Sequence, residues 1–91
     1  MKDKEIYQKI VEEQKWCQLC GSTNNLHIHH IFEGRNRKNS TKYNMLVRLC
    51  NNCHSWVHKT NYQEFKKKAQ KEFEMTHTRD EFIQIFRRNY L

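Results

Sequence analysis

The chain contains no proline, no internal repeat, no low-complexity tract and no linker-like stretch. Nothing in it marks a boundary, so residues 1–91 are expected to form one domain. Residues Met1 to Gln14 carry mixed charge and lack the apolar centre of a secretory signal, and no run is long enough to span a membrane. A cytoplasmic chain with no membrane partner is the expectation.

Apolar residues are also scarce, at 36%, against 30% charged residues and a mean hydropathy of −1.10. That balance lies close to the composition of disordered chains, and a 91-residue domain has little core to offset it. Something besides apolar burial must tie the fold together. Four cysteines and six histidines are the available means.

In a reducing compartment thiols persist, which favours metal ligation over disulfides. The stretch "LCNNCHSWVH", residues 49–58, admits three readings: c-type haem attachment, a C-x-x-C redox pair, or half of a zinc site. Haem attachment normally requires export, and the redox reading requires a thioredoxin-like βαβ context that is absent here. Cys17 and Cys20 supply a second C-x-x-C pair, separated from Cys50 and Cys53 by a gap of 29 residues. Two such pairs present two thiolates each to one tetrahedral ion, so Cys17, Cys20, Cys50 and Cys53 are expected to hold a structural Zn2+. Such a site is closed and does no chemistry.

Lys and Arg outnumber Asp and Glu by 17 to 10, a formal charge of +7. Four thiolates around one Zn2+ lower this to about +5 without changing its sign. Nucleic acid is the natural partner for such a charge.

The pattern of residues predicts an α+β chain. Asp3 is placed as the cap of a first helix with Ile6, Tyr7, Ile10 and Val11 on one face, running to about Lys15. "LHIHHIF", residues 26–32, alternates apolar and imidazole side chains as a strand does. "EGRNRKNSTKY" reads as a long basic loop and "NMLVRLC" as the returning strand of a hairpin. His54 and His58 are i and i+4 on a helix that follows the second knuckle. Asn61 with Glu64, then Thr78 with Glu81, open two further helices with aromatic stripes, a helical extension over residues 61–91. His29 on its strand and His54 with His58 on one helical face are a candidate second metal site, and three protein ligands would leave positions open for water or phosphate.

Taken in order, "CQLC", "LHIHHI", "YNMLVRLC" and "NNCHSWVH" resemble the HNH endonuclease family over about residues 16–58. "GRNRKNSTKY" and "RDEFIQIFRRNYL" are similar, more loosely, to small phage and prophage members. The resemblance implies a ββα-metal core in a treble-clef-like zinc scaffold, flanked by an N-terminal helix and C-terminal helices. It implies metal-dependent hydrolysis of DNA phosphodiester bonds, with His30 as general base and one catalytic divalent cation (Mg2+, Mn2+, Ni2+ or Zn2+) held by His29, His54 and His58. Asn44 would fix the hairpin behind the base; Asn36 and Asn39 are alternatives for that role.

An imidazole with a pKa of about 6.5 can serve as a base at neutral pH. Adjacent strand residues point to opposite faces, so His29 and His30 can address one phosphate only at a bend or a strand end. Arg35, Arg37, Lys38, Lys42 and Arg48 are the expected contacts to DNA backbone phosphates. No organic cofactor is expected. Long-sequence specificity from so small a surface would require a homodimer or a phage or host protein partner, and the cytoplasm of a bacterial host would be the setting. The alternative is a non-catalytic zinc module that binds nucleic acid or a protein.

Overall fold

The computed structural model describes residues 2–91. Helix α1 spans Asp3–Glu13, strand β1 Leu26–His30, helix α2 Arg37–Lys42, strand β2 Leu46–Cys50, helix α3 Asn51–Thr60, helix α4 Glu64–Phe73 and helix α5 Arg79–Phe86, with a 3-10 turn over Gly34–Asn36. The fold is α+β, and β1, β2 and α3 in succession are compatible with a ββα-metal core. The strands pair antiparallel, with Leu26 opposite Cys50 and His30 opposite Leu46. No helix among the described residues is long and apolar enough to cross a membrane.

Alternation along β1 divides its side chains between two helices, as its period of two requires. Ile28 packs with Ile6, Ile10 and Leu46 on the α1 side. His27 and His29 turn toward α3, where the rings of both lie within 6 Å of the His54 ring. The hairpin is thus a partition with α1 on one side and α3 on the other.

A larger core runs from Cys17, Phe32, Leu49 and Val57 to Phe73, Phe82 and Phe86. Phe32, just past β1, meets the Phe82 ring at 5.6 Å, the Phe86 ring at 4.6 Å and the Tyr90 ring at 5.1 Å. Fully buried Gln70 ties down the end of the chain by donating to Asn89 Oδ1 at 2.8 Å and accepting from the Tyr90 backbone N–H at 2.7 Å.

Several boundaries depart from the sequence expectation. Asp3 is the first helical residue of α1 rather than its cap; Lys2 occupies that place and gives no side-chain hydrogen bond. Val11 is 44% exposed, outside the packed face of α1. Asn61 closes α3 in a left-handed conformation (φ 52°) instead of opening α4, which begins after Gln63. Asn tolerates that conformation and is a common helix end for the same reason. Thr78 and Glu81 do form a reciprocal capping box at α5.

The main departure is the segment expected to be a loop, which contains the 3-10 turn and α2. Helix α2 has no apolar residue, and the two residues it buries are Ser40 and Thr41. It is held by polar contacts. The Phe32 N–H donates to Ser40 Oγ at 2.8 Å, and the Ser40 hydroxyl donates back to the Phe32 carbonyl at 2.7 Å. The Asn36 and Asn39 side chains donate to the carbonyls of Phe86 and Ile85 at the end of α5. A helix fastened this way carries no hydrophobic periodicity to detect.

Since Phe82 is fully buried among rings from both sides of this core, Phe82→Ala is expected to cost about 3–5 kcal/mol. Urea unfolding followed separately by far-UV circular dichroism and by tryptophan fluorescence should give one coincident transition, shifted to lower urea in the variant. Separate transitions would mean that residues 61–91 do not unfold with the hairpin.

Candidate metal centres and active-site cleft

The first knuckle turns through Gly21, whose φ of +80° is the left-handed region that glycine enters without strain. The Gly21 N–H donates to the Cys17 carbonyl at 2.9 Å and the Cys17 N–H to the Ser22 carbonyl at 2.7 Å, closing a tight loop around the sulfur atoms. The second knuckle is the junction of β2 and α3. Cys50 is the N-cap of α3, and its Sγ accepts from the Cys53 N–H at 3.4 Å.

The four sulfur atoms lie within 4.8 Å of one another. Cys20 Sγ and Cys50 Sγ are 3.6 Å apart, against about 3.8 Å for thiolates sharing a tetrahedral zinc with 2.3 Å bonds. The cluster fits a zinc-binding site. Its electrostatics agree with a need for a cation. Burial opposes ionisation of Cys17, but backbone N–H groups around its sulfur outweigh burial and bring its pKa down to about 6. Burial, and then the neighbouring sulfurs, push the Cys53 thiol up. A thiolate forms readily at Cys17, and the Cys53 thiol resists joining it.

The second cluster joins β1 to α3. Ligand nitrogens of His29, His54 and His58 also lie within 4.8 Å of one another. His54 Nε2 and His58 Nε2 are 3.0 Å apart, near the roughly 3.3 Å separating two imidazoles on one tetrahedral ion with 2.0–2.1 Å bonds. His29 is only 3% exposed. Burial, then the neighbouring His54 and His58, hold its pKa down to about 4. Burial and adjoining His58 also lower that of His54. Neutral imidazoles are the form that binds metal.

His30 is the last residue of β1 and lies on the opposite side of the strand, against α1. The strand end is what lets it share a cleft with His29. Ile28, His29, His30, Glu33, Gly34, Arg37, His54 and His58 line an open pocket of about 310 Å3. Burial, then the positive charge of Arg37, lower the His30 pKa, with Asp3 opposing. His30 Nε2 lies 3.1 Å from the Tyr7 hydroxyl of α1.

The remaining sequence candidates are placed more diversely. Arg35, Arg37, Lys38 and Lys42 are exposed along the 3-10 turn and α2, and of these Arg37 lines the cleft. Arg48 is set apart from them: its guanidinium Nη1 donates to the carbonyls of Val11 and Gln14 at the end of α1, and its Nε is buried with no partner among the described residues. Asn44 lines a different groove, between α1 and α4, and adopts a left-handed turn (φ 57°) two residues ahead of β2. Its side chain makes no hydrogen bond with the described residues; its backbone N–H donates to the Thr41 carbonyl at 3.1 Å, and Ser40 bonds Phe32 and Met45 across the turn.

The sequence reading missed Glu33, whose carboxylate lies 3.5 Å from His58 Nδ1 and 3.9 Å from His29 Nε2. Its spacing of four from His29 resembled a loop charge because the turn that brings it back is not periodic. Tyr7 and Thr41 were missed for a simpler reason, since contacts between distant segments leave no trace in local spacing.

Residues 17–60 match the family model for HNH endonuclease, a segment just under half of the chain. This segment is similar to an HNH endonuclease domain. No curated protein and no solved structure matches the chain. The matched residues contain both candidate metal-binding clusters, the cleft and the hairpin, while α1, α4 and α5 lie outside.

The depressed pKa of His29 has a pH consequence whose sign is fixed. Unfolded, the ring titrates near 6.5; folded, near 4. The unfolded chain therefore binds the extra proton between those values, so this stabilisation is complete above about pH 6.5 and is lost as pH falls toward 4. Allowing for solvent in the open cleft, it amounts to roughly 1–2 kcal/mol. Urea midpoints of protein supplied with one equivalent of zinc should fall from pH 7 to pH 5, and His29→Gln should reduce that fall. An equal fall in the variant would remove His29 as its cause.

Proposed function

We propose that the chain is a metal-dependent HNH endonuclease that hydrolyses DNA phosphodiester bonds. The observation that carries this reading is the pocket in which His29, His54 and His58 converge beside His30 and Arg37, within the segment that matches the family. Cys17, Cys20, Cys50 and Cys53 would hold a structural Zn2+, fixing the start of α3. His29, His54 and His58 would hold one catalytic divalent cation, Mg2+, Mn2+, Ni2+ or Zn2+. When bound, that ion supplies Lewis-acid stabilisation for the negative charge that develops at the scissile phosphate and its leaving 3′-oxygen.

His30 takes a proton from water as the water oxygen attacks phosphorus. The P–O3′ bond breaks and the departing 3′-oxygen takes a proton from solvent, leaving 5′-phosphate and 3′-hydroxyl ends. Arg37 faces the same cleft and offers a forked donor to phosphate oxygens. Arg35, Lys38 and Lys42 extend the positive surface along the backbone of the duplex, a contact that positions DNA without reading sequence. Arg48 belongs to the packing of α1 and is not assigned to this surface. Asn44 acts through the backbone turn that returns the chain to β2. Glu33 orients His58, as carboxylates commonly orient metal-bound imidazoles.

The reading predicts two metal ions per chain and one in His54→Ala, measured by elemental analysis after dialysis. Supercoiled plasmid should be nicked by the wild type with a divalent ion present. His30→Ala should reduce nicking by roughly 10²–10⁴-fold while keeping both metals. Unchanged cleavage by that variant removes His30 from the chemistry; one zinc per chain and no cleavage under any ion leaves a scaffold without catalysis.

A further inference from the structure

The helix that precedes the HNH segment touches the histidine assigned to the chemistry. Tyr7 Oη, from α1, lies 3.1 Å from His30 Nε2 and 3.2 Å from Thr41 Oγ1 of α2. Thr41 Oγ1 in turn lies 3.3 Å from the Arg37 carbonyl oxygen, one turn back in the same helix. Thr41 is 2% exposed and His30 9%, so these contacts are largely shielded from competing water. The Tyr7 ring stands edge-on to the imidazole, with centroids 5.8 Å apart and planes at 81°.

Four groups joined by three contacts need three hydrogens, and the last group fixes how they point. A carbonyl oxygen only accepts, so the Thr41 hydroxyl donates to Arg37. Its oxygen is then free to accept from the Tyr7 hydroxyl. Tyr7 has spent its one hydrogen, so its oxygen accepts from His30, whose Nε2 must carry the proton. The opposite direction, with Thr41 donating to Tyr7 and Tyr7 to His30, leaves the contact to the Arg37 carbonyl without a hydrogen. Only the first direction satisfies all three contacts.

We infer that Tyr7, backed by Thr41, is a positioning residue that holds His30 in the tautomer with Nε2 protonated and Nδ1 free to accept the proton of the attacking water. The inference rests on the proposed role of His30 as base. After that proton moves to Nδ1, Nε2–H still donates to Tyr7, so the orienting bond survives and becomes charge-assisted. None of the three contacts involves a residue that binds metal under the proposal, so the chain of hydrogen bonds can be broken while leaving the ion sites intact.

The test uses the full chain with both metal sites loaded with zinc. In the wild type, 15N correlation spectra of the histidine side chains at neutral pH should show His30 as the Nε2–H tautomer. Tyr7→Phe keeps the ring and removes the hydroxyl; it should shift His30 toward a mixture of tautomers and lower kcat for plasmid nicking about 10–100-fold, with KM and metal content unchanged. Thr41→Val should move both readouts in the same direction by less. Unaltered tautomer and kcat in Tyr7→Phe overturn the inference, as does wild-type His30 protonated at Nδ1. If the wild type does not nick DNA, the proposed function fails on its own account, and the tautomer shift in Tyr7→Phe still decides whether Tyr7 sets the state of His30.

Discussion

Everything that points into the histidine cleft depends on the meeting of Cys17, Cys20, Cys50 and Cys53. Their sulfur atoms lie within 4.8 Å of one another although the two pairs are separated by most of the hairpin. Cys50 ends β2 and caps α3, so the same junction that receives the first knuckle also sets the direction in which α3 leaves the sheet. His54 and His58 follow on the next turn. A small displacement at the sulfur cluster would therefore be carried, along a rigid helix, directly to the ring nitrogens of the second cluster.

The hairpin performs a different task, which is separation. Its alternation sends His29 toward α3 and Ile28 toward α1, and its end at His30 lets a residue from the α1 side reach the same pocket as one from the α3 side. In a longer regular strand, the strand itself would continue between His29 and His30 and keep them from sharing one pocket. The chain leaves the strand where it does because Phe32 is drawn into the aromatic core and its backbone is bound on both sides by Ser40. Core packing thus helps to shape the cleft.

The two clusters illustrate how much of the site was legible. C-x-x-C pairs and an i, i+4 histidine pair are local patterns whose spacing follows from knuckle and helix geometry, so their convergence was foreseeable from the chain alone. Helix α2 was not, because it buries Ser40 and Thr41 and is held by side-chain hydrogen bonds to distant carbonyls. Arg48 was read as part of a basic surface, yet its guanidinium reaches the carbonyls at the end of α1. Charge identifies what a side chain can bind, and only the surrounding backbone decides which acceptor is nearest.

The sequence by itself determined which side chains are candidates to bind metal, their pairing along the chain, the excess of positive charge and the order of strand, strand and helix, because each is written in local spacing or composition. Tertiary structure alone decided that α1 lies against His30, that Glu33 returns to His58 and that Tyr7 and Thr41 stand in line behind the imidazole. Those are meetings between residues with no periodic relation to one another. They are set by how the faces of α1 and α2 pack around the hairpin, a property of the assembled surfaces rather than of any single stretch.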